Sequence, residues 1–171
     1  MNENTPDLED ITIDRYVLDP TEAIVEAIDD HWSWIFEQDM SIIMMSRMGD
    51  VFLEDDNGIV YWLNTGTSDI DRIASSQDEF QKLLETECFD DWFLSELIDA
   101  CHDAGLVPSI GDVLSYKILP VFEGGSYDIE NMQVMSAVEH LTFTGDTLLA
   151  LFQAEQEDDS SAGNGDALPD A

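Results

Sequence analysis

The chain has 171 residues, 44% of them hydrophobic, with 39 acidic and five basic side chains and a formal charge of −34. That length and apolar share fit one domain with a sizeable core, and no window approaches the ~18 consecutive apolar residues of a membrane span. The five bases, Arg15, Arg47, Arg72, Lys82 and Lys117, are scattered, so the chain lacks the clustered Lys and Arg that nucleic-acid backbones and anionic membranes require.

A charge of this sign favours a basic protein partner, because opposite fields steer encounter. Solubility or a high-salt cytoplasm would account for it equally well. The first residues are acidic and lack the basic and apolar segments of a secretory signal, which points to the cytoplasm. Cys88 and Cys101 form no CxxC pair and read as free thiols.

In chain order, 1–9 reads as a flexible tail and 11–17 as a short strand or extended lead-in. Asp19-Pro20-Thr21-Glu22 opens a helix over 20–36, with Asp19 as the cap and Ile24, Ala27, Ile28, His31 and Ile35 at helical spacing. The run 41–47 is a buried strand, and Gly49-Asp50 bends it into the next. Asn57-Gly58, between 51–53 and 59–63, predicts a hairpin with a two-residue type I′ turn. A second turn at 64–67 returns the chain through 69–73, giving a three-stranded antiparallel meander. Ser76-Gln77-Asp78-Glu79 caps a helix over 77–85, and Asp90-Asp91 opens another that ends near Gly105. Strands follow at 113–119 and 128–135, joined through a flexible loop at Glu123-Gly124-Gly125-Ser126, the second with Met132 and Val134 inward. Ser136 to Glu139 caps a last helix over 137–153, with Val138, Leu141, Leu148 and Phe152 in a phase that passes through Gly145; the run 141–144 with Gly145 would also suit a hairpin. From 155 to 171 the chain is acidic and poor in aromatics, which predicts disorder. The order predicts an α+β domain over 10–154, a mostly antiparallel sheet around a central meander packed against four helices.

Catalytic and cofactor motifs are absent from the sequence. There is no GxSxG, HExxH, Walker loop or GxGxxG, and Asp55-Asp56-Asn57 lacks the spacing of a calcium loop. Neither a cofactor nor a metal is expected. His140 beside Glu139, with Tyr116, is the one group that could serve proton transfer if it faced a cleft, although a core or salt-bridge role fits it better.

The pieces Gly49-Asp50-Val51-Phe52-Leu53, Gly58 in its hairpin, Asp78-Glu79-Phe80, Leu119-Pro120-Val121 with Gly124-Gly125-Ser126-Tyr127, and Glu139-His140 followed by Gly145 are collinear with a bacterial domain family over 14–153. The chain resembles the C-terminal part of immunity proteins that neutralise DNase toxins delivered by type VI secretion, itself similar to the broader SUKH-type immunity group. The resemblance implies an inhibitor that acts by stoichiometric binding to a cognate nuclease and carries no catalytic residues. A general intracellular interaction domain without a toxin is the alternative. If a basic groove is the target, the expected contact residues are the acids near the hairpin tips, Glu54, Asp55, Asp56, Asp69 and Asp71, with Trp62 as an aromatic anchor.

Overall fold

The computed structural model describes residues 15–167, with side chains as far as 157. The expected tail at 1–9 lies outside the described residues. Seven strands and five helices make up the described chain. They are β1 Val17–Leu18, α1 Glu22–Trp32, β2 Met40–Ser46, β3 Val51–Asp55, β4 Val60–Leu63, β5 Ile70–Ala74, α2 Gln77–Leu83, α3 Cys88–Phe93, α4 Ser95–Asp103, β6 Asp112–Tyr116, β7 Met132–Ser136 and α5 Ala137–Ala167. The fold is α+β.

Strands β1 to β5 form one antiparallel sheet in chain order, and β6 and β7 form a separate antiparallel pair. Pairing follows chain order throughout: short turns join β2 to β3, β3 to β4 and β4 to β5, and α1 lies in the connection from β1 to β2. The expected meander is β3–β4–β5. Its first turn differs from expectation. Gly58 has φ +82° and Asn57 is not in the left-handed region. Gly58 N donates to Asp55 O and Asp55 N to Ile59 O. This is a three-residue loop closed by a left-handed glycine, not a type I′ turn. The Asp55 carboxylate decides it by accepting from the backbone N–H of Asn57 and Ile59 at 2.9 and 3.0 Å, which holds Asn57 out of the conformation that type I′ needs.

Phe52 on β3 meets α2 and α3 through stacked and tilted rings: Phe93 at 5.0 Å, Phe80 at 5.3 Å and Trp92 at 6.3 Å. The helix expected to start at Asp90 is two helices. Leu94, with φ +52°, breaks it, and the break lets Phe93 turn to Phe52 while Ile98 and Cys101 of α4 are also buried. Helices α1 and α5 pack on each other. Gly145 makes this possible, because a Cβ there would stand 2.4 Å from His31 O. The Trp32 indole donates to Leu141 O at 3.1 Å across the same crossing.

Two helix ends and several side-chain orientations differ from the sequence expectation. Thr21, not Asp19, caps α1, its hydroxyl accepting from Ile24 N. Trp32 is fully buried in that helix, whereas His31 turns outward to Asp146 at 2.8 Å. Val134, Val138 and Phe152 are exposed rather than inward. Helix α5 also runs on to Ala167, beyond the expected end at 153. Ala154-Glu155-Gln156-Glu157 are strong helix formers that continue a turn already nucleated by the packed half. Residues 168–171 of the expected tail lie outside the described residues.

Candidate interaction surface

The acids proposed as contact residues do not form one patch. Glu54, Asp55 and Asp56 sit at the β3–β4 turn, and Asp69 sits in the β4–β5 turn at the other end of β4, on the order of 13 Å away for a four-residue strand. Asp56, Asp69 and Asp71 are exposed, and Glu54 is half-buried and bonded by Gln77. Asp55 is buried and shapes its own turn. Burial pushes its carboxyl up, but the N–H groups of Ile59 and Asn57, the Tyr61 hydroxyl and Arg72 outweigh this and hold it below the usual carboxylate range. Trp62 is half-buried, cross-strand from Asp71, and its indole N–H donates inward to Asp50 at 3.1 Å. Part of its ring remains available to a partner.

Behind this surface lies a buried polar centre that the sequence only hinted at. Asp50 Oδ1 accepts from Thr65 N at 3.0 Å, and the Thr65 hydroxyl donates to Gly49 O at 2.8 Å. His140 Nε2 lies 2.8 Å from that hydroxyl, and Nδ1 lies 2.7 Å from Ser115 Oγ. With its proton directed to Gly49 O, or to Asp50 Oδ1 at 3.3 Å, the Thr65 oxygen is left to accept from His140. The network therefore assigns a neutral imidazole with the proton on Nε2 and Ser115 donating to Nδ1. Burial drives the His140 pKa down to about 4, opposed by Gly49. Burial raises Asp50 to about 7, opposed by Thr65 and Trp62.

Asp50, His140, Ser115 and Tyr116 are each at most 1% exposed. His140 therefore does not face a cleft with Tyr116, and Glu139 beside it points to solvent. The centre ties the β2–β3 turn, the β4–β5 turn, β6 and α5 together at one point. Gly49 is what lets His140 in, since a Cβ there would lie 2.1 Å from Nε2. Among the described residues no group of three His, Cys, Asp or Glu side chains is placed to hold a metal ion, and no helix is long and apolar enough to cross a membrane.

The Asp69 end of the sheet has an unexpected neighbour. Burial pushes up the hydroxyl of Tyr127, from the segment between β6 and β7, opposed by a hydrogen bond from the Asn64 side chain and reinforced by the charges of Asp50 and Asp69. The sequence reading placed a flexible loop there on the strength of Gly124-Gly125.

The resemblance read from the sequence meets a direct match at this point. Residues 74–147 match the family described as T6SS immunity protein Tdi1, C-terminal. The match runs from the end of β5 through α2, α3, α4, β6 and β7 into α5. It includes the segment around Tyr127 and both His140 and Gly145, and leaves β1–β4 outside. No curated protein matches the chain. A solved structure, Atu4351 from Agrobacterium tumefaciens, is similar over 85% of this chain and 89% of that one, at 13% identity and a TM-score of 0.49.

Proposed function

We propose that this protein is an immunity protein that binds and neutralises a nuclease toxin delivered by type VI secretion, one to one and without catalysis of its own. The observation that carries this reading is the match of residues 74–147 to the T6SS immunity family. The physics agrees with it. A nuclease must present basic groups to grip phosphates, and a chain with 39 acids against five bases is a strong electrostatic complement to such a groove. Where the side chains capable of acid–base work converge, at Asp50 and His140, they are sealed from solvent.

The test is co-expression. A type VI nuclease encoded beside this chain is expressed alone and together with it, and survival and chromosomal DNA integrity are followed. Protection together with a 1:1 complex of the purified proteins is expected. Unchanged killing, with this chain soluble and folded, rejects neutralisation.

A further inference from the structure

Ten large hydrophobic side chains stand exposed on the described surface, and four of them, Ile118, Val121, Phe122 and Tyr127, come from one ten-residue segment. Each is between 38% and 43% exposed. Such clustering is not the scatter of single apolar residues that any surface carries. The segment is also tightly built. The Asn131 amide donates to Ile118 O and Ser126 O, both at 2.8 Å, and its oxygen accepts from Ile118 N at 3.0 Å. Phe122 N donates to Leu119 O and Gly125 N to Phe122 O, each at 3.0 Å. Gly125 allows this folding back, because a Cβ there would lie 2.1 Å from Leu119 O. Tyr127 stands edge-on to the buried Tyr116 at 5.8 Å. A loop fastened at both ends loses little freedom on binding, which is what a docking surface needs.

The rim is acidic. Glu123 lies within the loop, Asp128 closes it, Glu130 follows it, and the charge of Asp69 in the β4–β5 turn acts on Tyr127; all four are exposed. Lys117 is the single base between 117 and 131. An apolar centre inside a negative ring complements a basic protein surface that carries its own apolar or aliphatic patch, and it repels an acidic one.

We propose that the loop spanning 117–128, with Asp69 beside it, is the surface that docks onto the basic, DNA-gripping face of the nuclease. This rests on the immunity reading. Phe122 and Val121 act as apolar anchors, and Glu123, Asp128 and Asp69 orient the partner's cations. Of the acids expected from the sequence, Asp69 is the one whose charge acts on Tyr127 of this surface.

The test uses the full chain and a catalytically inactivated form of the nuclease encoded beside it. Binding is measured by calorimetry, with Tm and the sedimentation of each variant alone as controls. Phe122→Lys and Val121→Lys, both at exposed positions, are expected to fold normally and to weaken the complex by about 30-fold or more. Glu123→Lys with Asp128→Lys is expected to weaken the complex about tenfold. Ile110→Lys, at a residue 99% exposed in another loop, should bind within about twofold of wild type. Wild-type affinity in Phe122→Lys and Val121→Lys overturns the docking surface and leaves the immunity reading standing. Failure of the wild-type chain to bind overturns both. A wild-type dimer that Val121→Lys dissociates shows that a second copy covers the patch, which also overturns the proposal.

Discussion

Two buried titratable residues in this protein have opposite pH dependences, and Asp50 supplies a sharp test. Its folded pKa, about 7, lies above the ordinary 3.8. The folded state therefore holds the proton more tightly than the unfolded chain, and Asp50 contributes stability below pH 4 that is lost as pH rises to 7. At ~1.4 kcal/mol per pH unit the loss is about 4 kcal/mol. His140 goes the other way. With a folded pKa near 4 against 6.5, its contribution is present above pH 6.5 and is lost as pH falls to 4. The two slopes oppose each other across one window and flatten the wild-type profile. In Asp50→Asn the His140 slope stands alone. Urea denaturation between pH 4 and 7 should show wild type losing about 4 kcal/mol relative to Asp50→Asn as pH rises. A constant difference would mean that Asp50 titrates like an exposed carboxylate, against its complete burial.

At the scale of elements, Gly145 tests the packing of α5 against α1. Alanine is a better helix former than glycine by about 1 kcal/mol. At Gly145, however, the added carbon would lie 2.4 Å from His31 O and 2.9 Å from the Trp32 indole nitrogen, and forcing α1 away costs about 1–3 kcal/mol. Gly145→Ala is therefore expected to destabilise, by up to about 2 kcal/mol net; a gain in urea midpoint would show that the crossing relaxes freely. Asn131 makes a second case. Asn131→Ala leaves Ile118 N, Ile118 O and Ser126 O without their partner, which costs about 2–3 kcal/mol, and hydrogen exchange at Ile118 should rise sharply while β3 stays protected. These two residues also mark what the sequence made legible. Periodicity and caps located all four helical regions and the meander, because those signals are local: Ser76 and Ser136 cap as expected, accepting from Glu79 N and Glu139 N. Gly145 read as a hairpin glycine as readily as a helical one, because its role is to admit His31 and Trp32, which are distant in sequence, and Gly124-Gly125 read as flexibility, although Gly125 lets the loop fold back on Leu119 O. The break at Leu94 was illegible for the same reason. A left-handed leucine is dictated by where Phe93 must go, and nothing in its neighbours announces it. Of the expected site, the acids were visible but their grouping was not, since an adjacent strand separates Asp56 from Asp69.

For the whole molecule, the question is whether a charge of −34 acts in recognition or only keeps the chain apart from its neighbours in solution. The two roles differ in kinetics. Exposed charges beyond a Debye length, about 10 Å at 0.1 M salt and 3 Å at 1 M, are screened from one another. If the acidic surface steers a basic nuclease, the association rate falls with salt, by about tenfold or more between 0.05 and 0.5 M, while dissociation, set by the packed apolar centre of the interface, changes little. If the charge serves solubility alone, the association rate stays flat and salt affects only self-association of the free chain. Stopped-flow mixing with the inactivated nuclease across that range separates the two. The pattern of dependence also bears on the surface. Reversing Glu54 with Asp56, at the far turn of the sheet, alters the long-range field as much as reversing Glu123 with Asp128, so both pairs should slow association to a similar degree at low salt. Only the second pair borders the Phe122 loop, so only it should also speed dissociation. A dissociation rate raised by the Glu54 and Asp56 reversal instead would move the interface to the β3–β4 turn.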